Sequence, residues 1–330
     1  MRILNIVKKN LFCFLIFLFL GCSDKSPSSE SNLSKYSIPS SNGTHNELTI
    51  FCDNNIWNYC GVTLVQKLAE PVSGLPQNEP RFDLSRLPQK SVSQITKRSK
   101  SILSLRVIQD SSAIIVKNNL WAEPQLVIQI IAPSLSALNK MILKQVDDII
   151  GRLEEHDISI LFNRMKKKAA VSLPLGLKDL GIKSMLLAKN YKMTLDNSDL
   201  KIFRADTRNS IQYLMAWYST YSDESDIIVE QNDLMKKYFE GAQDKSFLTI
   251  EPNIPIDVKY GNVNSNSVIE HHGLFRTEGG FGGGPFITYS YLDKDKKNKI
   301  SLSVLVYAPG SKKRKILLEL ESMLRSVKTH

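Results

Sequence analysis

Histidine and cysteine are scarce, with five and four residues in a chain of 330. Four cysteines are too few to build a disulfide scaffold of this size. The histidines fall at His45, His156, His271, His272 and His330, and none shares an H-x-x-x-H or H-E-x-x-H spacing. His271 and His272 are adjacent in a predicted strand, so their side chains point to opposite faces and cannot share one metal. C-x-x-C is absent too, so no metal site and no cofactor are expected. The chain also lacks a G-x-S-x-G nucleophile elbow and a phosphate-binding G-x-x-x-x-G-K run. The N-terminal apolar run, Leu11–Leu20, is about half the ~20 residues a membrane-spanning helix needs.

What is present is ordinary globular composition, 42% hydrophobic and 23% charged, which excludes a mostly disordered chain. Arg2, Lys8 and Lys9 precede the apolar run and Gly21-Cys22 follows it. A basic start, a short greasy run and a small residue before the break make residues 1–21 a secretory signal peptide. Its removal lowers the formal net charge of +10 by three. Gly21-Cys22 resembles a bacterial lipoprotein box, in which the cysteine is acylated and becomes the new N-terminus; Phe19 departs from its usual leucine. Two or more acyl chains such as palmitate anchor stably. Residues 22–46 are rich in serine and have no apolar periodicity, so a flexible lipidated tether is expected. The expected location is the bacterial envelope, on a periplasmic or surface face.

Residues 47–170 read as one α+β domain. Leu48–Cys52 is a strand, and Asp53 or Asn54 caps a helix with Ile56, Cys60, Leu64 and Leu68 on one face. Residues 70–80 are a loop dense in proline and glycine. A short helix at Ser91, a strand pair at 104–109 and 113–117, and a strand at 125–132 follow. Pro133-Ser134 opens a long helix that is expected to bend or restart near His156-Asp157. Residues 171–184 read as a linker. Residues 185–330 read as a second α+β domain, with a strand at 185–187, several hairpins, a helix at 226–238 and a closing helix at 312–327. Runs of strands flanked by helices predict mainly antiparallel sheets in α+β layers.

These residues carry a resemblance. Glu70-Pro-Val-Ser-Gly-Leu-Pro-Gln-Asn-Glu-Pro80 with Phe82-Asp83, Trp121-Ala-Glu-Pro-Gln-Leu126, Gly273-Leu-Phe-Arg-Thr-Glu278, Gly283-Gly-Pro-Phe286 and Val306-Tyr-Ala-Pro309 occur in order. The pattern resembles an uncharacterised family of Bacteroidetes envelope lipoproteins, a domain-of-unknown-function family, over roughly residues 48–327. The resemblance implies envelope location and lipid anchoring, and no reaction. The second half is also similar in strand order to the PsbP-type α/β/α sandwich, as a fold analogy.

The candidate sites are few. The glycine run Gly279–Gly284 is a tight connection or a ligand-contacting loop, with Gly282, Gly283 and Gly284 at its end. Arg276 and Glu278 share a strand face before it, placed to pair with each other or to recognise a polar group. Trp121, Arg276, Glu278 and the glycines are the best contact-surface residues. Glu70, Glu79, Asp83, Glu123 and Glu278 are hydrolytic carboxylates only by elimination, and Glu70 and Glu79 precede prolines, where a turn role is favoured. In an oxidising envelope Cys52 and Cys60 either form a disulfide or remain buried thiols. The stretch Leu84–Gln109 carries Arg86, Lys90, Lys97, Arg98, Lys100 and Arg106 and no acid. It fits a solvated face, anionic lipid headgroups or an acidic partner. Nucleic acid is not expected of an exported chain without stacked aromatics on its basic run. The expected partners are a membrane, reached through the lipid, and an envelope protein or anionic ligand. A non-catalytic binding or assembly module is favoured over an envelope hydrolase acting on glycan or peptide.

Overall fold

The computed structural model describes residues 38–170, 172–241 and 243–329. The expected signal peptide, Cys22 and the first part of the expected tether lie outside them. The end of the tether does not: Ser40 and Asn42 form bridges to Glu123 and Ser99, so the chain joins the body before residue 47.

β1 (Glu47–Phe51) buries Leu48, Ile50 and Phe51. α1 (Asn54–Leu68) follows, and Ile56, Cys60, Leu64 and Leu68 form its inner face, as the three- and four-residue spacing predicts. Asp53 sits at its N-cap without capping it. The carboxylate instead accepts the Gln89 amide at 3.0 Å. β2 (Asp83–Leu87) pairs with β1, and two 3₁₀ turns, Gln89–Ser91 and Thr96–Arg98, replace the expected short helix.

β3 (Ser101–Val107), β4 (Ala113–Asn118) and β5 (Leu126–Ala132) complete a sheet in the order β2-β1-β3-β5-β4. The expected pairing of β3 with β4 does not occur, because β5 lies between them. The reason is burial. β5 is apolar on both faces and belongs inside the sheet, while alternating exposure suits β4 to the edge. β4 alone is antiparallel here, so this sheet is mostly parallel.

α2 (Leu135–Lys168) starts at Ser134, whose hydroxyl accepts the Ala137 amide at 3.2 Å. The helix does not restart near His156-Asp157 but runs on through both. Asp157 is buried and accepts the Asn46 amide at 2.7 Å, so the polar pair that suggested a break is an inward contact. α1 and α2 cover one face of the sheet and bury Leu64, Leu68, Ile142, Val146 and Ile149 against β1, β3 and β5. Each such side chain contributes about 1.5–3 kcal/mol.

The expected linker is ordered core. α3 (Leu175–Asp179) and β6 (Ile182–Ser184) lie within 171–184, and Leu177, Leu180 and Ile182 are buried. The strand expected at 185–187 is thus displaced to β6. It pairs with β15 (Lys328–Thr329) at the end of the chain.

The second sheet is antiparallel and eight-stranded. It comprises β7 (Lys192–Asp196), β8 (Leu200–Asp206), β9 (Ile211–Thr220), β10 (Phe247–Ile250), β11 (Asp257–Val263), β12 (Asn266–Glu278), β13 (Gly283–Leu292) and β14 (Asn298–Tyr307). Its order is β10-β12-β13-β14-β9-β8-β7, with β11 also paired to β12. α4 (Glu224–Tyr238) packs on one face through Ile227 and Met235. α5 (Arg314–Leu324) packs on the other through Leu317, Leu320 and Leu324, joined by Met165 from the end of α2. The fold is α+β, and antiparallel pairings predominate across the two sheets. The described residues from 38 to 329 form one compact unit. Among the described residues no helix is long and apolar enough to cross a membrane.

Candidate functional site

Where the halves meet, α2, the loop before β2, β11, β12 and α5 enclose a cleft of about 540 Å³. Charge dominates its walls. Arg81, from the loop, donates to Glu154 of α2 at 3.0 Å. Arg325 donates through Nε to Glu321, one helical turn earlier, at 3.0 Å, and to the Tyr289 hydroxyl at 3.1 Å. Glu270 and His272 share one face of β12, with Nε2 3.7 Å from the carboxylate, which is beyond hydrogen-bonding reach. Ser73 donates to Asp257 at 2.9 Å and so ties the proline-rich loop to β11.

Burial and neighbours push two of these carboxyls in opposite directions. Burial raises the Glu154 pKa, and the nearby Glu321 adds to this, while Arg81 offsets only part. Burial acts in the same sense on Glu270, but the adjacent His272 and Arg325 outweigh it and hold that carboxyl below its ordinary range. Four polar atoms of cleft residues are buried without a hydrogen-bond partner: Asn46 Oδ1, Arg81 Nε, Arg314 Nε and His272 Nε2. Buried polar atoms are rarely left unpaired, so these are the unsatisfied groups of the cleft walls.

The expected contact residues are not gathered in this cleft. Trp121 packs with Leu87 and Val92 over Phe51, Ile102 and Val127 on the first sheet, and Lys97 Nζ lies 5.7 Å from its ring centroid. Arg276 and Glu278 form an ion pair at 2.5 Å on the second sheet, with Glu251 3.6 Å from Arg276 Nε. Gly283 and Gly284 lie inside β13 and not in a loop. Their missing side chains admit neighbouring backbone, since a Cβ would come within 2.3 Å of the Phe275 oxygen at Gly283 and 1.9 Å of the Val306 oxygen at Gly284. Gly282, at φ +112°, stays in the exposed turn. Cys52 and Cys60 are free, buried thiols, each pushed up by burial, so the disulfide option is not taken up. Each packs among apolar side chains of the first core. Cys22 lies outside the described residues.

Of the carboxylates named by elimination, only Glu70 lines the cleft. Glu79 binds backbone amides at the start of α5, Asp83 pairs with Arg314 at 2.6 Å, and Glu123 is exposed. The cleft-forming Arg81, Glu154, Glu270, Glu321 and Arg325 share no motif spacing. The one sequence signal was the loop itself, whose resemblance-bearing run places Glu70 and Ser73 beside the cleft and ends next to Arg81.

Comparison with known proteins gives two separate matches along the chain. Residues 41–166 match the model of a domain of unknown function (DUF8532). Residues 177–326 match a second domain of unknown function (DUF4837). No curated protein matches. A crystal structure from Bacteroides thetaiotaomicron is similar at 11% identity with a TM-score of 0.24, the match covering 44% of this chain and 44% of that one. The chain thus spans less than half the length of that structure. Half by half, it is similar to two uncharacterised domain families, the first match ending in the last turn of α2 and the second beginning inside α3.

Proposed function

We propose that the chain is a lipid-anchored protein of the bacterial cell envelope, and that it acts as a non-catalytic binding module whose cleft takes a polar ligand bearing an anionic group. The N-terminal pattern of residues 1–22 supports the address and anchor. One observation carries the binding role: Arg81, Arg314 and His272 line one cleft and each holds a buried nitrogen without a partner, which a small side-chain shift would present to a ligand. A carboxylate or phosphate oxygen would accept from the two guanidinium N–H groups and meet a donor or cation at His272. The cleft carboxylates Glu154, Glu321 and Asp257 already have partners of their own.

Two experiments test this. Cys22→Ser should abolish lipid labelling and release the protein from membranes, and unchanged retention would contradict the anchor. A photo-crosslinking residue at Ser73 in intact cells should capture a ligand or partner, and Arg81→Ala should abolish the capture. Capture that ignores Arg81 would refute the cleft's role.

The second reading is an envelope hydrolase acting on glycan or peptide. Glu154 pushed up and Glu270 held down on one cleft is the split that acid–base chemistry uses. Release of reducing ends or free amines from envelope polymer, lost in Glu154→Gln, would establish it in place of binding alone.

A further inference from the structure

The first sheet has two unlike faces. α1 and α2 cover one. Among the described residues the other carries the strap of residues 88–98, whose Val92 packs with Trp121 against Phe51, Ile102 and Val127. Strand register assigns its charges. Arg106 lies opposite Ile131, in the row of Ile102 and Ser104, and Lys117 lies opposite Val127. Phe51, Ile102 and Val127 are the core residues of this strapped face, so Arg106 and Lys117 project from it. Lys90 and Lys97 come from the strap. Arg86 falls in the opposite row, with its guanidinium over Trp57 of α1, and does not contribute. Ile95, also on the strap, is 74% exposed. Of the nearby acids, Asp53, Asp110 and Glu123 lie off the strand ends, with Asp53 engaged by the Gln89 amide, while Glu47 and Asp83 share the rows of Phe51 and Leu87 at the start of β1 and β2 and pair with Lys315 and Arg314.

The tether joins the body beside this face. Arg98 donates to the Ser40 carbonyl through Nε at 3.0 Å and through Nη2 at 2.7 Å, and Lys100 donates to the Gly43 carbonyl at 3.1 Å. Two cations of the basic stretch are therefore used to fix the point where the chain departs toward Cys22. The sixteen residues from Cys22 to Ile38 span at most roughly 55 Å. A lipid on Cys22 keeps the departure point within that distance of a bilayer.

We propose that the strapped face, with Lys90, Lys97, Arg106, Lys117 and the exposed Ile95, lies against the anionic headgroups of the membrane that holds the lipid anchor. The proposal rests on the lipid-anchor reading for its geometry. The charge is complementary, and a single exposed aliphatic side chain among lysines suits the headgroup boundary. Each cation brought to such a surface strengthens binding roughly fivefold.

The test separates the two readings. The acyl-free chain from residue 22 onward, carrying Cys22→Ser, retains the compact body and is mixed with vesicles. It should sediment with vesicles of equal parts phosphatidylglycerol and phosphatidylcholine, not with phosphatidylcholine alone, and high salt should release it. Lys90→Glu/Arg106→Glu/Lys117→Glu should weaken this binding by roughly a hundredfold or more. None of the three side chains is buried, and an unchanged circular dichroism spectrum confirms folding. Ile95→Ser should weaken binding further without abolishing the lipid selectivity. Equal binding to both vesicles, no binding to either, or binding unaffected by the triple substitution overturns the proposal. So does retention by a polyglutamate resin without vesicle binding, which would assign the face to an acidic protein. Lipid labelling of the wild-type chain in cells reports separately on the anchor. Labelling without vesicle selectivity defeats this proposal alone, and vesicle selectivity without labelling defeats the anchor alone.

Discussion

The Glu79 carboxylate caps the helix that begins at Arg314, accepting the Arg314 amide at 3.2 Å and the Lys313 amide at 2.7 Å. The Arg314 guanidinium returns to the Pro80 carbonyl and to Asp83. The first half thus satisfies the N-terminus of a helix that begins 235 residues later. α5 has no side-chain cap of its own, and a carboxylate also complements the positive end of its dipole. Glu79→Ala leaves two buried amides without acceptors and should cost about 2–4 kcal/mol. Glu79→Gln keeps an accepting oxygen and should cost less. Urea unfolding midpoints check both, and an unchanged midpoint in Glu79→Ala would mean that α5 docks without this cap.

His271 makes the protein acid-sensitive. It is buried in β12, its Nδ1 has no partner, and burial, with His272 adding repulsion, lowers its pKa from 6.5 to about 4. The unfolded chain takes up a proton as pH falls below about 6.5, and the folded chain resists it until about 4. Stability is therefore present above that window and is lost progressively on acidification through it, by about 3 kcal/mol. His271→Leu should abolish that part of the loss. Unfolding free energies of both proteins across the window provide the check, and parallel curves would refute it.

Lys299 is fully buried, and its ammonium lies 3.0 Å from Glu230, which also accepts from Trp217 Nε1 at 3.1 Å and from the Ser219 hydroxyl at 2.9 Å. Glu230→Ala strands a buried charge and should cost about 3–5 kcal/mol. Glu230→Gln/Lys299→Met removes the charge as well and should recover most of that loss. If the double variant is no more stable than Glu230→Ala, the charge is not the source of the cost.

The helices were legible because their signals are local. Ile56, Cys60, Leu64 and Leu68 mark α1, and Leu138, Ile142, Val146 and Ile149 mark α2, by spacing alone. The pairing of β3 with β5 was not legible, since the order of strands depends on which one tolerates burial on both faces. β11 was missed because Asp257–Val263 is polar and exposed along most of its length. The cleft was illegible for a deeper reason. Arg81, Glu154, Glu270 and Glu321 come from four distant parts of the chain, and only the docking of α2 and α5 against the second sheet brings them together.

The glycines before Pro285 show the same limit and yield the sharpest stability contrast. A run of glycines reads as a loop, yet two of them are strand residues where neighbouring backbones leave no space for a side chain. At Gly284 an added Cβ would sit 1.9 Å from the Val306 oxygen, a backbone atom of β14 that cannot swing aside. Gly284→Ala must therefore push β13 away from β14, in a sheet whose core is close-packed, and should cost at least about 3 kcal/mol or prevent folding. At Gly282 the added carbon meets the Tyr307 ring at 2.8 Å, a side chain that can turn, on exposed backbone at φ +112°. Gly282→Ala should cost only about 1–3 kcal/mol, mostly from that dihedral. Thermal unfolding of the two variants side by side measures the difference. Equal stability would mean that β13 and β14 do not approach as closely as their register requires.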